Sequence, residues 1–188
     1  MSPLPSSRRP RRPRPALRGF TLVELMVVVM IVSVLAIIGV MLFRKYVSSS
    51  KTVEALSMIQ SIRAAEERWR SENQNYLDVS TSMTSWYPMK TPGKKLYVWD
   101  QSSGNDYQKW RLLAPTAAGP VQFGYVVKAG APFTTPPKLA IADSPVWPQM
   151  EQPWYVIMAK ADANGDGVFA KYAASSLSDE IYRENEGE

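Results

Sequence analysis

Residues 20–43 read FTLVELMVVVMIVSVLAIIGVMLF, a run in which Glu24 is the only charged side chain. At about 1.5 Å per residue, a helix of this length reaches roughly 36 Å, enough to cross a hydrocarbon core of about 30 Å. The run is too long for the apolar part of a cleaved secretory signal, and no A-x-A site follows it. It sets the organisation of the whole chain, because everything on either side differs from it in composition.

Residues 1–19 hold six arginines (Arg8, Arg9, Arg11, Arg12, Arg14, Arg18), five prolines and no acid. Such a segment cannot form regular helix and has little apolar surface to bury. Basic residues before an apolar span predict a cytoplasmic N-terminus. They also account for the net charge of +5; without them 16 basic side chains face 17 acidic ones. The basic character therefore belongs to the leader and makes no general case for a nucleic-acid surface on the rest.

After the span the helix is expected to continue into water. Leu56, Ile59, Ile62, Ala65 and Trp69 recur at helical spacing, with Val53 before them and Met58 beside them. Lys51, Glu54, Arg63, Glu67 and Arg70 take much of the remaining circumference, and Glu66 narrows the apolar face. Asn73 and Asn75 are the expected stop, so one helix runs from about 21 to 73. Residues 74–120 are weakly patterned. Leu96–Trp99 reads as a short strand, and Tyr107–Leu113 fits either a strand or one or two helical turns. Val121–Lys128 alternates with Val121, Phe123, Tyr125 and Val127 on one face; Trp154–Ala161, Val168–Ala174 and Glu180–Arg183 read as further strands. The proline-rich stretch between Gly130 and Pro153 reads as loop. The fold class is α+β: a long N-terminal helix, half membrane-spanning and half amphipathic, packed on a C-terminal antiparallel sheet. The expected divisions are 1–19, 20–43, 44–75 and 76–188.

The chain has no cysteine and no histidine. Disulfides, Cys–His and Ser–His catalysis and His-ligated zinc are thereby excluded. No paired acids stand in a recognisable catalytic context, which disfavours an enzyme.

The stretch Arg18-Gly19-Phe20-Thr21-Leu22-Val23-Glu24-Leu25-Met26 resembles the prepilin cleavage and methylation motif of type IV pilins and pseudopilins. The resemblance implies cleavage after Gly19 by a prepilin peptidase and N-methylation of Phe20. It also implies that Glu24 neutralises the amino group of a neighbouring subunit's Phe20 during assembly. The implied partners are the peptidase, a pilus or type II secretion assembly platform, other pilin subunits and the membrane. The implied location is the inner membrane as precursor, then a pilus or periplasmic filament. Many pilins carry a proline where this chain has Met41, and many staple a C-terminal loop with a disulfide that this chain cannot form. Two other roles fit the same residues. One is a minor pilin or type II secretion pseudopilin. The other is an uncleaved, membrane-anchored binding module that uses its aromatic-rich head.

Two weaker signals lie in the C-terminal part. Asp162-Ala163-Asn164-Gly165-Asp166-Gly167 matches the opening of an EF-hand-type calcium loop, with Asp162, Asn164 and Asp166 as ligands. Its twelfth position is Ala173 instead of Glu, although Asp179 or Glu180 could complete the shell. A polar turn between strands explains the same residues, so no cofactor is expected apart from this calcium option. Trp86, Tyr87, Trp99, Trp110, Trp147 and Trp154 could form a binding face, but packing of the sheet and its loops is the simpler expectation. Lys90, Lys94, Lys95, Lys109 and Arg111 are the one local basic group in the head.

Overall fold

The computed structural model describes residues 19–187. Its elements are α1 (Leu22–Asn73), α2 (Tyr107–Leu113), β1 (Gly124–Gly130), β2 (Trp154–Ala161), β3 (Ala170–Ser175) and β4 (Ser178–Glu184). The chain forms two compact units, one ending at Leu42 and the other running from Phe43 to Glu188. The stretch Leu22–Phe43 is long and apolar enough to cross a membrane, by length and composition, and its apolar window is not buried within the chain.

In the second unit, β1 to β4 form one antiparallel sheet in sequence order. Side chains alternate across a strand, and the two faces bury separate clusters. One face presents Tyr125, Val127, Tyr155, Ile157, Ala159, Tyr172 and Ala174 to Ala55, Met58, Ile59, Ile62 and Ala65 of α1. The other presents Val126, Trp154, Val156, Met158 and Ala173 to Leu139 and Ile141, with Trp147 and Met150 beside them. The proline-rich connection from β1 to β2 therefore does for one face what the helix does for the other. This explains why β2 is a nearly unbroken apolar run: it is buried on both sides.

Most expected elements are present, with shifted ends. The helix stops at Asn73, and the left-handed turning residue is Gln74, whose N–H reaches the Arg70 carbonyl at 2.8 Å. Tyr107–Leu113 is helical; the Arg68 guanidinium of α1 caps its last turn by donating to the Leu113 carbonyl at 2.7 Å. Leu96–Trp99 is not a strand. Only Tyr97 pairs, exchanging two 2.8 Å backbone bonds with Val121. Leu96 and Val98, on either side of it, face solvent. β1 begins at Gly124 instead of Val121: the Gln122 and Phe123 N–H groups before it go to Glu54 Oε1 at 2.7 and 3.3 Å, although Val121 and Phe123 still join the helix-side core.

Candidate functional site

The N-terminal segment is built from its first helical turn. Thr21 caps α1: its Oγ1 accepts the Glu24 N–H at 3.2 Å, and its carbonyl accepts the Leu25 N–H at 3.1 Å. Thr21-Leu-Val-Glu24 is the [ST]-x-x-[DE] pattern of a capping box, a sequence signal for the helix start that the motif reading passed over. Glu24 thus occupies the first turn, where an acid also complements the positive end of the helix dipole. Among the described residues its carboxylate has no ion-pair partner.

Around this turn nothing is covered. Phe20 is 77% exposed, and the large apolar side chains from Leu22 to Phe43 are between 48% and 76% exposed. Ser33 is the one hydroxyl inside the span; it donates to the Val29 carbonyl at 2.7 Å and so satisfies itself within the helix. A Cβ placed on Gly19 or on Gly39 would meet nothing within 4 Å. Among the described residues nothing gives a packing reason for either glycine.

The other sequence candidates lie in the second unit. Asp162, Asn164 and Asp166 do form the turn between β2 and β3. Their oxygens accept the loop's own N–H groups: Asp162 takes Gly165 at 2.7 Å and Gly167 at 3.1 Å, Asn164 takes Asp166 at 2.9 Å, and Asp166 takes Val168 at 2.7 Å. Gly165 and Gly167 have φ of 84° and 89°, the left-handed values that make glycine necessary there. The Lys51 ammonium reaches the Ala163 carbonyl in the same loop at 3.2 Å. Among the described residues no group of three or more acidic side chains converges as a metal site.

The aromatics are packing residues. Tyr87 stacks on Trp110 at 5.3 Å, Trp99 meets both edge-on, and Trp86 and Trp154 are buried on the opposite face of the sheet. Of the basic group, Lys109 donates to the Asp78 carbonyl at 2.8 Å and Arg111 lies over the Tyr107 ring, while Lys90, Lys94 and Lys95 are exposed. The periodicity placed Glu66 only beside the apolar stripe. Glu66 is fully buried, with Oε2 accepting the Leu77 N–H at 2.9 Å.

Residues 15–40 match the family model for the prokaryotic N-terminal methylation motif. The chain is also 37% identical over 75 residues to the type IV major pilin protein PilA of Myxococcus xanthus (strain DK1622). That alignment covers 40% of this chain and 34% of the relative, so the chain spans about a third of the length of the curated protein it matches. No solved structure matches it. The N-terminal segment thus carries a prokaryotic methylation motif, on a chain whose layout of apolar helix, amphipathic helix and antiparallel sheet is pilin-like.

Proposed function

We propose that this chain is a structural subunit of a type IV pilus or related filament, made as a precursor, cut between Gly19 and Phe20 and assembled through α1. The observation that carries the reading is the uncovered surface from Phe20 to Phe43 beside a single unpartnered carboxylate, within the matched methylation motif. Exposed apolar area of this extent needs lipid or neighbouring helices to cover it. A bilayer covers it in the precursor; the helices of other subunits cover it in a filament.

Each residue then has a role. Gly19 leaves the scissile backbone open to a prepilin peptidase, and its lack of contacts within the chain agrees with a requirement imposed from outside. Cleavage makes Phe20 the N-terminus and the site of N-methylation. Glu24 lies one helical turn further on. An ionised acid in an apolar surrounding costs several kcal/mol unless it is paired, and the amino group of a neighbouring Phe20 supplies the missing positive charge. That pairing would set the register between subunits. The orphan N–H groups at the start of α1, of which Thr21 satisfies one, favour placing this end where polar partners are available. The mechanism is association, not catalysis. The precursor is anchored in the inner membrane with its basic leader in the cytoplasm, and an assembly platform moves it into the filament.

Mass spectrometry of the N-terminal peptide from filaments sheared off the parent cells tests this. Abundant peptide beginning at N-methylated Phe20 is the expected result. Processed protein confined to the membrane would instead fit a minor pilin or pseudopilin, and an intact leader would fit an anchored binding module.

A further inference from the structure

We propose that Glu66 is a proton-operated latch, which fastens the 74–80 segment along the outer edge of β1 while it carries a proton and loosens that segment when the proton is lost on opening.

The latch rests on where the chain puts the carboxyl. Glu66 projects from α1 under the segment that leaves the helix. It is fully buried, Oε2 holds the Leu77 N–H, and Oε1 has no partner. The neighbouring cations are directed elsewhere, although the Arg63 Nε is buried without a partner among the described residues. On α1, the Arg63 guanidinium donates to the carbonyls of Ser175, Ser178, Asp179 and Glu180, and Arg70 donates to the Tyr76 hydroxyl. Glu67 accepts from that same hydroxyl. Across from Glu66 stand Asp78, whose cation Lys128 is bound to it at 2.7 Å, and the Tyr155 ring on β2, packed edge-on against Tyr76. Burial is the main influence on the carboxyl; the Leu77 N–H pulls the other way, and the charges of Glu67 and Asp78 add to burial, so its pKa is pushed up to about 8. At neutral pH the closed head holds Glu66 as the neutral acid.

What the latch fastens is the sheet edge. β1 is an outer strand; Tyr87 holds its free side at Tyr125, and the 74–80 segment holds it at Val127 and Ala129. Ser80 N–H reaches the Val127 carbonyl at 2.9 Å, Ser80 Oγ accepts the Val127 N–H at 3.1 Å, and Asp78 Oδ1 accepts the Ala129 N–H at 3.1 Å. An unpaired strand edge is a template for pairing with another chain, so opening this segment uncovers an associating surface. In the open form Glu66 is in water and ionises near its ordinary value of 4.5. Opening therefore releases a proton at any pH between about 4.5 and about 8, and becomes easier as the pH rises through that window. Above it both forms are ionised and the dependence ends.

The test is amide hydrogen exchange of the full chain in detergent micelles, for wild type and Glu66→Gln, from about pH 5 to 9. Rates are converted to opening constants with the intrinsic pH dependence removed. Gln keeps the acceptor for Leu77 and cannot titrate. For the amides of residues 77–80, 127 and 129, the wild-type to Glu66→Gln ratio should rise about tenfold per pH unit and level off near pH 8. A ratio that stays constant with pH overturns the proposal. Should Glu66→Gln fail to fold, carbon-13 NMR of the wild-type Glu66 carboxyl decides: a neutral acid at pH 7 supports the latch, and a carboxylate overturns it.

Discussion

At the residue scale, the N-terminal segment separates what a residue does within its own chain from what it does for something else. Thr21 has an internal task, capping α1. Gly19 has none, because nothing lies where its side chain would be. Gly19→Val should therefore leave the head folded while blocking cleavage, seen as a precursor that keeps its leader by mass. A mutant still cut at that bond would show that the processing site lies elsewhere. Glu24 has a cap-proximal place but no partner among the described residues. Glu24→Leu should stay in the membrane, since it removes a charge that lipid disfavours, yet it should drop out of filaments when sheared fractions are probed. Normal incorporation would remove Glu24 from the assembly argument. The motif drew Gly19 and Glu24 out of the sequence, but not the capping role of Thr21. Glu66 was not legible there, because helical spacing placed it only at the margin of the apolar stripe, and the Leu77 N–H that reaches it comes from the segment beyond the helix end.

At the element scale, the two contacts that define the sheet's faces can be tested separately. Ile62 is fully buried between α1 and the sheet, and Ile62→Ala should cost about 2–5 kcal/mol in denaturant unfolding, through lost burial and the cavity left behind. On the other face, Gly130 pairs with Trp154, and a Cβ there would come within 2.3 Å of the indole carbon Cζ2. The indole cannot simply move away, because Trp154 Nε1 donates to Thr134 Oγ1 at 2.8 Å. Gly130→Ala should cost roughly 1–3 kcal/mol by overpacking; an unchanged midpoint would mean that the loop carrying Thr134 yields freely. Ladder pairing explains the element that was misread. Leu96–Trp99 has strand-like composition, but only Tyr97 finds a ladder partner, at Val121, while Leu96 and Val98 face solvent.

For the whole molecule, the buried acids set the sign of the pH dependence. Burial pushes Glu66 and Glu54 up, although the Gln122 and Phe123 N–H groups pull Glu54 part of the way back. A raised carboxyl contributes stability that is full below its ordinary value of 4.5 and is lost as the pH rises through its folded value. Glu184 runs the other way: its hydrogen bond from Lys171 holds it low, so its contribution is present above 4.5 and is lost as the pH falls. Unfolding of the full chain in detergent, followed by tryptophan fluorescence, should therefore show greatest stability in mildly acidic solution. It should weaken toward pH 8; a steady gain over that range would contradict the burial of Glu54 and Glu66 as the governing influence.

Local pattern alone determined the apolar span, the helix that continues from it to Asn73, β2 to its ends, and the short N-terminal motif. All of these are written in consecutive residues, as length, charge or period. Only the tertiary structure decided that the loop from Gly130 to Pro153 covers one face of the sheet, that Trp86, Trp110 and Trp154 are interior, that residues 78–80 bind the edge of β1, and that a glutamate lies beneath them. These depend on which distant groups meet, and neither composition nor periodicity records the partner that a buried ring or carboxyl will find.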